Sequence, residues 1–416
     1  MFYQQTVLDN GLTVVTERID TVRSVALGVW FRVGSRDETS AEAGMSHFIE
    51  HMMFKGTPTR SAADISQAFD RIGADLNAFT AKEYTCYYSR FVSDNLPVVI
   101  DLFSDMLCNS SLAEDACFRE REVVLEEIAR TEDAPDDQIH EIFASGLYAG
   151  HPLGSSILGT RASVAGFDHA ATAAFRQKHY SPGNCIVAAA GLIDHDELVA
   201  LVSSLLVLPG STINTRTLST PTSPKSLVSI NKETEQSHIC YGMTALKWDH
   251  PDRYALSIAD AVLGGGMSSR LFQEIRESKG LAYAVYSFMT LFQETGQFAV
   301  YAGTRPANTA EVVRIIRQQI ELMASDGISA AELDRARNSF KGHLVLGLED
   351  TRARMSRLGK SFVVQSELLS IDELIGRIEA VTVDDVARVV SSVFAAKGSL
   401  AFIGPLTSEE VDRLSQ

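Results

Sequence analysis

Apolar and polar positions alternate with two different periods along this chain, and the changes of period mark its elements. After the turn residues Asn10-Gly11, the run Leu12-Thr13-Val14-Val15 reads as a strand, and Ser24 to Val33, rich in valine and aromatics, predicts another. Met45, Phe48, Ile49 and Met52 then recur at helical spacing and predict a helix with one buried face. Thr39 followed by Glu42 has the form of a capping box that would start this helix, and Gly56 with Pro58 would stop it. Ser61 to Ile72 predicts an amphipathic helix, Ala78 to Phe91 a strand or hairpin, and Leu96 to Leu107 a further helix. From Ser111, with Glu114 as a second capping box, a long helix should run to Pro135 with Phe118, Leu125 and Ile128 toward the core.

The second half repeats this order. Leu227 to Ile230 and Ser237 to Thr244 read as strands, and Arg253 to Leu263 and Met267 to Ser278 as helices. The stretch Lys279-Gly280 to Tyr286 parallels Ile72-Gly73 to Phe79, Gly296 to Ala302 adds a strand, and Thr309 to Met323 and Ala330 to Gly347 add helices. This is a duplication of about half the chain, too long to be a solenoid repeat. Leu208-Pro209-Gly210-Ser211-Thr212 through Pro224 is rich in Pro, Ser and Thr and reads as a linker. The expected architecture is therefore α+β, with two homologous domains, each an antiparallel-rich sheet covered by helices. Their expected boundaries are 1–207 and 227–416, joined by a linker over 208–226.

Composition narrows the function. With 53 acidic against 37 basic side chains the net charge is −16. That argues against nucleic acid, whose binding needs a basic surface, and leaves open both steering of basic peptides and an ordinary acidic exterior. The five cysteines (Cys86, Cys108, Cys117, Cys185, Cys240) form no C-x-x-C pair and read as reduced, mostly buried thiols. No apolar run approaches the roughly 20 residues of a membrane span. The opening residues show neither a secretory nor an organellar leader, so a bacterial cytoplasmic protein is expected rather than a processed mitochondrial one.

The chemistry concentrates in His47-Phe48-Ile49-Glu50-His51. Histidines four apart on a helix lie on one face, so both imidazoles can reach one ion. With one more ligand they would form a zinc site that keeps a position open for water, and Glu50 would be the base that takes the water proton. On the long helix, Glu127 lies 76 residues beyond His51, and Glu120 lies two turns before it on the same face. The glycine run Leu263-Gly264-Gly265-Gly266-Met267 lacks the partners of a phosphate-binding loop and reads as a turn that lets two backbones pack closely.

His-Phe-Ile-Glu-His-Met-Met-Phe-Lys-Gly-Thr together with Val-Val-Leu-Glu-Glu-Ile resembles the pitrilysin family of zinc peptidases, the inverzincins with an inverted H-x-x-E-H signature. Within it the resemblance is nearest to the branch of the mitochondrial processing peptidase β-subunit and its bacterial homologues, over nearly the whole chain. It implies one zinc per chain held by His47, His51 and Glu127, Glu50 as general base, and Glu120 as a carboxylate that orients the site. It also implies that the two domains face each other as a clamshell. The second copy has apolar and glycine residues around Ala261 and no acidic ligand around Lys341, so it should lack the metal. Arg276 and Tyr283, in Arg-Glu-Ser-Lys-Gly-Leu-Ala-Tyr, match the family's second signature and would hold the substrate backbone. An extended, unfolded peptide would add to the sheet edge at Asn77, Ala78 and Phe79. By the same resemblance Phe54 would line the pocket for the residue after the cut, and Asp137 and Glu141 would read a basic side chain. Homodimers and heterodimers both occur in the family. The fold also serves as metal-free core or substrate-presenting subunits, but retention of the ligand set favours a metalloendopeptidase here.

Overall fold

Strand β3 (Ser24–Phe31) is buried on both faces, because two different sets of helices cover it. The structure, a computed structural model, describes residues 2–209 and 213–414. Around β3 a six-stranded sheet is built from β1 (Gln4–Val7), β2 (Thr13–Arg18), β4 (Asp75–Thr80), β5 (Thr85–Val92) and β6 (Cys185–Gly191). Its order is β1-β2-β6-β3-β5-β4, so β4 forms one edge. Val25, Leu27, Val29 and Phe31 point to the larger core, against helix α1 (Met45–Met52), helix Leu96–Asn109 and helix α2 (Glu114–Asp133). The second sheet contains β7 (Leu227–Asn231), β8 (Ser237–Ala245), β9 (Ala282–Leu291), β10 (Gly296–Thr304) and β11 (Ser399–Gly404), in the order β7-β11-β8-β10-β9. Strand for strand this is the first sheet again without β1. The one parallel pair, β2 with β6, recurs as β7 with β11, and every other pairing is antiparallel in both. The duplication is therefore present in the topology itself.

The compact units do not follow the expected linear division at 1–207 and 227–416. One comprises Met1–Ala129, Ser155–Thr217 and Gly347–Leu368, and the other Arg130–Gly154, Leu218–Leu346 and Leu369–Gln416. Each sheet is covered on one face by a helix from the opposite half of the sequence. Helix α3 (Pro135–Leu147) buries Ile139, Phe143 and Leu147 against Cys240, Ala299, Tyr301, Ala401 and Ile403 of the second sheet. A helix from the second half, Thr351–Val363, packs on β2, β3 and β6 of the first. Its Gly359 lies so close to the indole of Trp30 that a Cβ there would stand 2.1 Å from Nε1. Local periodicity cannot reveal such an exchange, because it reports only that a helix has an apolar face.

Several local expectations are also corrected. Of the anticipated linker, residues 210–212 lie outside the described part, but the following residues are pinned rather than loose. Arg216 makes two charge-assisted bonds to Asp37 (2.7 and 2.8 Å), and the Asn214 amide donates to the Arg32 carbonyl (2.8 Å). Phe118 is 58 % exposed beneath the Arg121 guanidinium, and the buried face of α2 is Ala116, Cys117, Glu120, Val124 and Ile128. Ser111 does not cap α2; its hydroxyl donates to the Gly56 carbonyl (3.1 Å). The helix anticipated from Met267 is regular only over Phe272–Ser278, and there it has π geometry. The glycine turn before it does what close packing requires: a Cβ on Gly264 would meet the Ser287 amide at 2.2 Å. No disulfide joins the five cysteines, and all but the half-buried Cys108 are buried. Among the described residues no single helix is long and apolar enough to cross a membrane.

Gly359→Ala should cost about 1–3 kcal/mol of stability through overpacking against Trp30. Urea denaturation of the full chain measures it, and wild-type stability would show that this contact does not hold the helix on the sheet.

Candidate metal centre

Helix α1 is only eight residues long, and its start is set by the chain before it. Thr39 and Glu42 close a turn (Thr39 N–H to Glu42 Oε2, 3.0 Å) but do not cap the helix, which begins at Met45 after left-handed Gly44 (φ +92°). The cap is Glu38, whose carboxylate accepts from the Gly44 and Ser46 amides, both at 2.7 Å. Burial pushes this carboxyl up to about 7, against the pull of those hydrogen bonds. Met45, Phe48, Ile49 and Met52 are then almost fully buried, as the pattern demanded. His47, Glu50 and His51 are left on the remaining surface of the helix.

The two imidazoles converge. His47 Nε2 and His51 Nε2 are 3.1 Å apart, and Glu127 Oε2 stands 3.5 Å from the first and 3.6 Å from the second. Zinc bonds of about 2.0–2.1 Å in tetrahedral geometry imply ligand separations of about 3.3 Å, which this triangle matches. Glu127 Oε2 is buried without a hydrogen-bond partner, and so is His47 Nδ1. A buried carboxylate oxygen aimed at two imidazole nitrogens is costly unless a cation lies among them. Two nitrogens and one carboxylate oxygen are also a donor set that suits zinc. His47, His51 and Glu127 are the one such group of three among the described residues.

Around the triangle other groups fix its parts. Glu120, one face of α2 with Glu127, accepts from His51 Nδ1 through Oε1 (2.8 Å), which leaves the His51 Nε2 lone pair for the ion. Its other oxygen holds the Lys55 ammonium at 2.6 Å. Burial disfavours the Glu120 charge, but His51 and Lys55 outweigh it and hold this carboxyl below its usual value. Burial drives His47 down to about 3, helped by the nearby His51, so its imidazole is neutral. Burial pulls His51 down as well, yet the Glu120 bond and the Glu127, Glu120 and Glu50 charges raise it overall. Glu50, 9 % exposed, is raised mainly by burial, while a bond from the Thr80 hydroxyl to Oε2 (2.5 Å) opposes the shift. A carboxylate biased toward holding a proton is suited to taking one and passing it on.

A family description, "Insulinase (Peptidase family M16)", matches residues 13–161, which contain His47, Glu50, His51, Glu120 and Glu127. An uncharacterized zinc protease of Streptomyces coelicolor is 42 % identical over 99 % of this chain and 91 % of its own. The chain belongs to the M16 peptidase family. Another relative, the uncharacterized zinc protease YmxG of Bacillus subtilis, is 38 % identical over 95 % of this chain and 97 % of its own. The crystal structure of a protease from Helicobacter pylori has the same fold, with a TM-score of 0.88 at 25 % identity, covering 97 % of this chain and 99 % of that one. A Pseudomonas fluorescens structure described as the M16 inactive domain superposes with a TM-score of 0.91 at 22 % identity, over 98 % and 99 %. A description of the same words, "Peptidase M16 inactive domain", matches residues 167–340 here. In this M16 chain that range holds the second copy of α1, helix Arg253–Leu263, in which Ser257 and Ala261 stand where His47 and His51 stand in the first.

The other anticipated residues divide between the two units. Phe54 is half-buried against the first core with its ring 6.2 Å from that of Tyr87. Asn77, Ala78 and Phe79 lie on edge strand β4, where Asn77 Oδ1 accepts from the Ala78 amide (2.8 Å) and Phe79 packs edge-on against Trp30. Arg276 and Tyr283 are a pair within the second unit: the guanidinium lies 4.4 Å over the phenol ring and donates to the Tyr283 carbonyl (3.0 Å), with Tyr283 78 % exposed. Asp137 and Glu141 share helix α3, also in the second unit, with His140 between them. Two residues in contact with the site's carboxylates were not anticipated, Lys55 and Thr80. Lys55 sits in the quoted Met-Met-Phe-Lys-Gly-Thr run, and Thr80 directly follows Asn77-Ala78-Phe79, but nothing in either stretch names its partner.

Glu120→Gln should weaken zinc binding by about 10–100-fold, read by chelator competition. Zinc needs a neutral His51, whose proton affinity is raised above that of a free imidazole. Zinc affinity should therefore begin to fall, as pH is lowered, above the usual imidazole midpoint of about 6.5. The same competition at pH 8, 7 and 6 tests this; a constant affinity would contradict it.

Proposed function

We propose that this protein is a zinc-dependent endopeptidase that hydrolyses extended, unfolded peptides, of the kind that trims precursor extensions. The observation that supports it most is the triangle of His47 Nε2, His51 Nε2 and Glu127 Oε2, with an orphaned carboxylate oxygen, beside the buried carboxyl of Glu50. When bound, a zinc ion supplies Lewis acidity to the reacting oxygens. Glu50 removes a proton from the attacking water and delivers it to the nitrogen of the leaving amine, so the proton ends on the new amino terminus. Glu120, with Lys55 on its other oxygen, keeps His51 oriented while this happens. Edge strand β4 offers backbone groups to an extended peptide, which accounts for affinity with little sequence demand. Arg276 and Tyr283 are assigned as donors to the substrate backbone, and Phe54 to the pocket after the cut. Asp137 and Glu141, one turn apart on α3, are assigned to a basic side chain near the cut and would favour basic precursor peptides.

A mixed library of short unfolded peptides, mapped by mass spectrometry, tests the reading. The expected result is cleavage that is abolished by chelator and reduced at least about 100-fold in Glu50→Gln, with that variant still binding one zinc. Cuts beside basic residues would support the assignment of Asp137 and Glu141. Zinc binding without cleavage would instead make the chain a substrate-presenting subunit.

A further inference from the structure

The Thr80 hydroxyl donates to Glu50 Oε2 at 2.5 Å and also lies 3.3 Å from the Ser46 carbonyl. It thus ties the last residue of edge strand β4 to the middle and the start of α1. One oxygen of the candidate base is thereby committed, and only Oε1 is left to meet a water. The bond carries more than a local contact because the second unit contains it again. Left-handed glycines begin the two edge strands, Gly73 (φ +64°) before β4 and Gly280 (φ +60°) before β9, and Thr80 and Ser287 follow them at the same spacing. The strand registers that set Thr80 on Ser287 also set Trp30 on Cys240, and the same spacing places Glu50 on Asp260. There the Ser287 hydroxyl donates to Asp260 Oδ1 (2.6 Å) and to the Asp260 carbonyl (3.0 Å). The carboxyl of half-buried Asp260 is likewise raised mainly by loss of solvent, with the Ser287 bond opposing.

The second unit has no histidines at the matching places, so the hydroxyl-to-carboxylate bond there serves no ion. Its persistence identifies what the bond does in both units: it fixes a helix carboxylate relative to the sheet edge. We propose that Thr80 is a positioning residue, a brace that holds Glu50 at a set distance from the strand on which the peptide lies. A substrate paired with β4 is then in register with the base because strand and base are joined by one bond. This rests on the peptidase reading above, and the two fail differently.

The test compares Thr80→Val with Thr80→Ser in the full-length, zinc-loaded protein. Valine keeps the β-branched shape that suits a strand and removes the donor; serine keeps the donor. Thr80→Val should lower kcat by about 10- to 100-fold through misplacement of the base, with KM and zinc affinity unchanged, and Thr80→Ser should restore most of the rate. Adding Thr80→Val to Glu50→Gln should cost nothing further, since the hydroxyl acts through that carboxylate. An unchanged kcat in Thr80→Val overturns the proposal. So does a joint fall of kcat and zinc affinity, which would make Thr80 a general support of the fold, and so does a further loss in the Glu50→Gln background. If the wild type cleaves nothing, or Glu50→Gln cleaves normally, the peptidase reading itself has failed and the brace falls with it.

Discussion

Three electron-rich atoms held within 3.6 Å of one another are the constraint on which this structure turns. Without a cation among them, His47, His51 and Glu127 leave a buried lone pair on the carboxylate facing two imidazole nitrogens. Such an arrangement persists only if the surrounding fold fixes each group from outside. It does so by burial on one side of α1 and by dedicated hydrogen bonds on the other. Met45, Phe48, Ile49 and Met52 lock the helix to the core, Glu38 sets its first turn, and Glu120 and Thr80 each hold one member of the site. The fold thus holds two imidazole nitrogens and a carboxylate oxygen at the separations a divalent ion would need.

The same carboxylate logic recurs at each level around that cluster. The carboxylates of Glu120, Glu50 and Glu38 around it are each held by named donors. Glu120 offers one oxygen to an imidazole and one to Lys55, Glu50 has one oxygen on Thr80 and one unassigned, and Glu38 spends both on backbone amides. This division lets three carboxylates crowd one short helix without mutual repulsion dominating. Burial raises Glu38 and Glu50 against the pull of their donors, while the His51 and Lys55 partners hold Glu120 below its usual value.

How much of this was legible in the sequence depended on distance along the chain. His47 and His51 are four residues apart, so helical geometry alone brings them together, and the apolar stripe of α1 told which face was left. Glu127 became a ligand only through resemblance, because no local rule relates a residue to one 76 positions away. The order of elements along each half and their duplication followed from turn glycines and alternating runs; the strand order of the sheets did not, and neither did the central strands β6 and β11, which lie far along the chain from the strands they pair with. The exchange of α3 and of helix Thr351–Val363 between sheets did not, since an apolar helix face does not specify its partner. Phe118 was placed inside because an aromatic at helical spacing usually is; here neighbouring Ala116 and Cys117 turn the small side of α2 inward. The contact of Thr80 with Glu50 is illegible for the same reason as the exchange, since it exists only once strand and helix have met.

The exchanged helices give the two halves of the polypeptide a shared fate. A protease that cut the connecting stretch between β6 and β7 would not release two independent proteins. Each compact unit would still contain a helix from the other fragment, seated on its sheet by Trp30 and Gly359 in one case and by Ile139, Phe143 and Leu147 in the other. The two fragments of the nicked chain would stay joined through the helix that each lends to the other's sheet.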